Sequence, residues 1–167
     1  PAVSNKLYAI TGQEAGKVLI TLNPGTGVGQ PIGPTEYVIL KTIGVRPSTQ
    51  ELVSISPRDS ESSSLVRIDV LTGNAYTDKK ISTAGITSIA FDSNDDLYLL
   101  TLDGDIFLAD LNNQTSVLLG NSGSNQLEGI SINPVDGTLW AVGLNGDLFQ
   151  LDKSSGAATM IGNVGFN

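Results

Sequence analysis

Cysteine and histidine are both absent from the 167 residues. Disulfides, thiolate nucleophiles and Cys or His metal sites are thereby excluded, and a Ser-His-Asp triad would have no base. Positive charge is scarce: 9 Lys and Arg face 17 Asp and Glu, for a net charge of −8. Such a balance argues against nucleic acid or an anionic membrane as a partner; a cation or a basic protein surface is compatible with it. No apolar run approaches the length of a membrane span. Helix-favouring runs of Ala, Glu, Lys and Leu are missing. The chain starts at Pro1, with no initiator Met and no signal peptide, and so reads as processed or excised.

What is present is a turn-rich, foldable chain. Hydrophobic residues at 40% and charged residues at 16% indicate a globular protein, and the length fits one domain with a real core. Gly is frequent, at 19 residues, and with many Ser, Thr, Asn and Asp it points to an all-β chain.

Residues 138–152, TLWAVGLNGDLFQLD, nearly restate residues 96–110, DLYLLTLDGDIFLAD. The anchor segment recurs as LYAI from 7, LVSI from 52, LYLL from 97 and LWAV from 139. Each anchor precedes a polar turn and a second strand: KVLITLNPGTG (17–27), SLVRIDVLTG (64–73), DIFLADLNNQT (105–115) and DLFQLDKSSG (147–156). A third segment follows each: VGQPIG, NAYTDKKIS, SVLLG and ATMIG. Before three anchors sits a further strand: LKTIGVRP (40–47), ITSIAFDS (86–93) and LEGISINP (127–134). Asp103-Gly104 and Asn145-Gly146 suit two-residue type I′ hairpins, in which both central residues need positive φ. Pro47, Pro57 and Pro134 fall at strand ends, where a missing N–H does no harm.

Four short strands recurring every 42 to 45 residues predict the blades of a β-propeller, rather than a β-sandwich or β-solenoid. The repeats run approximately 1–39, 40–83, 84–124 and 125–167. With strands named A to D outward from the axis, the first repeat lacks A, leaving fifteen strands. PAVSNK (1–6) is too short and polar to replace it. The chain is then either part of a larger ring or a small four-bladed ring with an imperfect first blade. An open arc exposes the broad face of a terminal blade, so association with copies of itself or with flanking sequence is expected.

The succession of LYAI, G-x-hydrophobic-x-x-hydrophobic-Asp, T-G, I-G and an F-D-P-like turn resembles repeats of secreted bacterial propellers. These include the NHL and lactonase-like groups and a related repeat domain of unknown function. The resemblance implies that the D–A and B–C loops share one rim, the usual ligand face. Lys41, Thr87 and Glu128 open the three A strands at equivalent positions near the axis yet differ chemically, which permits a polar site. Arg58, Asp59 and Glu61 lie in the longest B–C insertion, and long loops on rigid scaffolds often carry recognition; the alternative is a Ser-rich bulge. DSNDD (92–96) has spaced acidic residues that could suit Ca²⁺, but lacks the twelve-position loop pattern and reads first as a turn. Lactonase-like propellers hold Ca²⁺ with acidic and Asn ligands near the axis; only Glu128, in LEGISINPVDG, matches such a place. GTGVGQPIG (25–33) lacks the Lys-Ser/Thr end of a phosphate loop and reads as a turn.

These features predict a non-catalytic propeller module, extracellular or on a cell surface, that binds protein partners or copies of itself and needs no cofactor. A metal-dependent hydrolase or lactonase-like enzyme, with Ca²⁺, and a glycan-binding lectin-like propeller are the alternatives. Tyr8, Tyr98 and Trp140 lie on anchor strands, where core packing accounts for them better than glycan stacking does.

Overall fold

The computed structural model describes residues 6–12, 16–124 and 126–165. Those residues form fifteen β-strands and no helix. β1 (Leu7–Ile10), β2 (Val18–Leu22) and β3 (Gly29–Pro34) make one three-stranded antiparallel sheet. Three four-stranded antiparallel sheets follow. The second blade comprises β4 (Ile43–Arg46), β5 (Glu51–Pro57), β6 (Ser63–Ile68) and β7 (Ala75–Ile81). The third comprises β8 (Ile86–Phe91), β9 (Leu97–Thr101), β10 (Asp105–Asp110) and β11 (Thr115–Asn121). The fourth comprises β12 (Leu127–Ile132), β13 (Leu139–Gly143), β14 (Asp147–Leu151) and β15 (Ala158–Asn163). These sheets are the blades of a β-propeller, with β4, β8 and β12 as the inner strands. β8 packs against both β4 and β12.

Side-chain alternation explains the stacking. In an extended strand successive residues face opposite ways, so each anchor offers one pair of residues to the blade before it and one to the blade after. Leu97 and Leu99 face the second blade with Val53, Ile55 and Leu65. Tyr98, Leu100 and Ile106 face the fourth with Leu139, Ala141 and Leu151. Leu52, Val66 and Ile68 meet Leu19, Tyr8 and Ile10 of the first blade. Three seams thus hold the core, and every residue of β9 is buried. Leu97 and Leu99 are fully buried, each stabilising the fold by about 2 kcal/mol.

Turn chemistry repeats as well. Asn23, Asp69 and Asp152 directly follow β2, β6 and β14, and Asp110 ends β10. Their Oδ1 atoms accept from amides two residues on: Gly25 at 2.8 Å, Leu71 at 2.8 Å, Asn112 at 2.9 Å and Ser154 at 2.8 Å. These side-chain caps fold the corner locally. The fourth residue onward has positive φ each time: Gly27, Gly73, Gln114 and Gly156.

The B–C hairpins depart from the type I′ expectation. Gly104 and Gly146 have positive φ, but Asp103 and Asn145 do not. The Gly104 N–H donates to the Thr101 carbonyl at 3.0 Å, and the Gly146 N–H to the Gly143 carbonyl at 3.0 Å. Each turn therefore starts one residue earlier than a two-residue hairpin would, and only its glycine occupies the left-handed region. The anchor expectation also needs amending at the ends: β5 and β9 are covered on both faces, β1 and β13 on one.

Candidate functional site

Two surfaces compete as the site: the rim carrying the B–C and D–A loops, and the flat faces of the end blades.

On the rim, the inner-strand residues hold matching places. β12 shifts register between Leu127 and Gly129, and β8 between Ile86 and Ser88. Glu128 and Thr87 are thus the extra residues of equivalent β-bulges, which re-aim a side chain out of the ladder. Glu128 is exposed and Thr87 is half-buried, its hydroxyl donating to the Leu100 carbonyl at 3.3 Å. Lys41 precedes β4, is exposed, and its N–H donates to the Ile55 carbonyl at 2.9 Å.

Arg58, Asp59 and Glu61 are all exposed in the β5–β6 loop. Asp59 serves that loop itself: Oδ1 accepts from Ser62 Oγ at 2.7 Å and from the Glu61 N–H at 3.0 Å. The Ser62 hydroxyl bond, with the Glu61 amide, holds its carboxyl below the usual range. Glu61 joins Ser60, Thr83, Asp103 and Asp105 around an open groove of about 250 Å³ between the second and third blades. The two loop types therefore do share a rim. Among the described residues, no three acidic side chains gather as a metal would need. In TGQEAG (11–16) residues 13–15, and in GNSGSNQLE (120–128) Asn125, lie outside the described residues.

The acidic DSNDD turn bridges blades. Asp92 is buried; Oδ1 accepts from the Asn94 and Asp96 amides at 2.9 and 3.1 Å, and Oδ2 from Lys153 Nζ at 2.7 Å. Burial pushes the Asp92 carboxyl up, but the Lys153 ammonium and the two amides outweigh it and set it below its ordinary value. Lys153 also lies 4.9 Å from the centre of the Tyr98 ring, a cation–π contact. Asp95 accepts from Arg46 Nε at 2.9 Å and from the Ser48 N–H at 2.9 Å. Arg46 thus ties the second blade to the third as Lys153 ties the fourth to the third.

The end faces are apolar, and among the described residues nothing covers them. On the fourth blade the face turned away from the third carries Trp140, Val142 and Leu148, in the places that Tyr98, Leu100 and Ile106 occupy on the third. Tyr98 and its companions are buried, whereas Val142 is 44% exposed and Ile161, on β15 beside this face, 52%. Trp140 is half-buried, its Nε1 donating to Thr138 Oγ1 at 2.7 Å; it does not pack into the core as Tyr98 does. On the first blade the outward face carries Leu7, which is 52% exposed, with Ala9, Ile20 and Leu22. A shallow groove of about 810 Å³ runs beside Leu7, Leu22, Pro24 and Val28.

Sequence reasoning overlooked the blade-bridging charges; it expected an exposed terminal-blade face but did not name the residues that form it. A signal was present: the T-G and I-G motifs of the repeats are the glycines at which neighbouring blades touch. A methyl group on Gly33 would lie 2.0 Å from the Thr72 carbonyl oxygen, and one on Gly120 would lie 1.9 Å from that of Ser155.

Comparison with protein-family models finds no match, and comparison with curated protein sequences finds none either. Among solved structures, 656 chains match, so the fold is a widely used one. One belongs to the crystal structure of a nidogen/laminin complex: the TM-score is 0.69 at 15% identity, over 97% of this chain and 62% of that chain. This chain therefore spans less than two thirds of its structural neighbour. At that identity the likeness is one of fold alone, and function has to be argued from the surfaces. By its repeats, its sheet order and its structural neighbour, the chain is four blades of a β-propeller.

Proposed function

We propose that this chain is a non-catalytic protein-interaction module, working outside the cell or at its surface. The observation that carries this reading is the pair of uncovered apolar end faces. Contiguous apolar surface left open on a folded domain marks an interaction site. The negative net charge suits solubility and a partner with basic rim residues. The structural neighbour, a chain in a complex between proteins, is in keeping with the reading. Kinship to the NHL or lactonase-like groups belongs to the same proposal and rests on the repeat motifs. The module is proposed to act without Ca²⁺ or another cofactor, its acidic turn serving to join blades.

A photo-reactive residue at position 142 or position 7 tests the reading in the native source. The expected result is a cross-link to protein, formed in the extracellular or surface fraction. Calcium-dependent hydrolysis of a lactone and ester panel, abolished by chelation, would overturn it in favour of an enzyme. A glycan-array signal lost on changing Lys41, Glu128 or Glu61 would overturn it in favour of a lectin.

A further inference from the structure

We infer that the two end faces are the two halves of a fourth seam, formed between copies of this chain: the fourth blade of one copy docks on the first blade of the next. The inference rests on the interaction reading and names the partner as a second copy.

The internal seams define what a seam needs. At the first, Gly33 of β3 touches the backbone of the Thr72-Gly73 turn, and the Ala75 N–H donates to the Thr35 carbonyl at 3.2 Å. At the third, Gly120 of β11 touches the Ser155-Gly156 turn, and the Ala158 N–H donates to the Ser122 carbonyl at 3.3 Å. Both seams thus join a strand glycine to a turn glycine and add one backbone hydrogen bond two residues further along. The second seam replaces both glycines: Lys79 stands on the strand and Gln114 in the turn, where Gln114 Oε1 accepts from the Lys80 N–H at 3.2 Å.

The two ends hold the unmatched halves of this arrangement. Gly162 pairs with Leu148 as Gly33 pairs with Leu19 and Gly120 with Ile106. A methyl group on Gly162 would meet nothing within 4 Å, and its φ is not positive. The described residues therefore give no reason for glycine there, while a docking turn would. Gly27 is the turn glycine of the first blade, at φ +71°, and it too has nothing near it. Val164 and Gly29 lie two residues beyond these glycines, in the places of the Thr35 and Ser122 carbonyls and of the Ala75 and Ala158 amides. Apolar residues complete the match: Trp140, Val142 and Leu148 on one face, Leu7, Ile20 and Leu22 on the other. Pro24 takes the place of Lys153, which lies over Tyr98; Trp140 takes the place of Tyr98.

A second copy supplies every missing half at once, as a continuation of the existing stack. The contact is head to tail, so it closes into a ring or extends according to its rotation. The test is sedimentation equilibrium of the full chain over a hundredfold range of concentration. The wild type is expected at twice 17.4 kDa or a higher multiple. Gly162→Leu, which damages only the tail, and Leu7→Glu, which damages only the head, are each expected to weaken association at least tenfold. Mixing the two is expected to restore a two-copy species, because one undamaged head and one undamaged tail remain. Should Gly162→Leu fail to fold by circular dichroism, Ile161→Asp takes its place with the same expected outcome. A wild type sedimenting at 17.4 kDa throughout would overturn the inference, even where position 142 cross-links to another protein, which would leave the interaction reading standing. Single variants that still assemble, or a mixture that stays monomeric, would also overturn it.

Discussion

Asp92 and Asp95 show how single side chains tie neighbouring blades together. Both carboxyls titrate below their ordinary value in the folded chain, each raised by burial but lowered further by its partners. The unfolded chain therefore takes up protons first as the pH drops. Their stabilisation is complete above the ordinary Asp value of 3.8 and is lost as the pH falls through the folded-state values. Thermal melting followed against pH is expected to drop below about pH 4. In Lys153→Met that drop is expected to shrink, and the chain at pH 7 to lose about 2 kcal/mol, the worth of a hydrogen bond to a charged group. Gly120→Ala is expected to cost about 3 kcal/mol in urea titration, because its methyl would overlap a backbone oxygen that cannot move independently. Gly162→Ala, at the same repeat position, is expected to leave monomer stability within about 0.5 kcal/mol.

Among the strands, the same comparison separates covered from uncovered faces. Leu100 and Val142 hold equivalent places on β9 and β13, yet Leu100 is fully buried and Val142 is not. Leu100→Ala is expected to cost about 3 kcal/mol by denaturant titration, and Val142→Ala less than about 0.5 kcal/mol in the monomer. The strands themselves were legible in the sequence, because LYLL and LWAV recur with their turns at a fixed period. The expectation that PAVSNK supplies no inner strand falls mostly on residues 1–5, which lie outside the described residues. The hairpin geometry was not legible, because Asp-Gly and Asn-Gly serve more than one turn type. Nor were the roles of Arg46, Asp95 and Lys153: each reaches a neighbouring repeat, and contacts across repeats leave no trace in a pattern read within one. The bulges at Thr87 and Glu128 were not legible either, since the repeat shows only that these residues open equivalent strands, and that Asp59 supports its own loop is something spacing alone does not show.

For the molecule as a whole, a stack in which each blade touches only its neighbours has stability distributed along one dimension. Amide hydrogen exchange of the monomer is expected to be slowest in β5 and β9, which have a strand on both sides and a blade on both faces. β1 is expected to exchange earliest, since among the described residues it pairs with β2 alone. Uniformly slow exchange across all four sheets would contradict that ordering.

The second seam, with Lys79 and Gln114 where its neighbours have glycines, has a consequence for how the gene can be edited. Excising the third repeat would bring Lys79 to the spot where Gly120 now admits the Ser155 oxygen, and the side chain would block closure. Excising the second would set Gly33 opposite Gln114, leaving a hole instead. The blades look interchangeable by their period, but their joints are keyed, and the chain can be spelled in only one order.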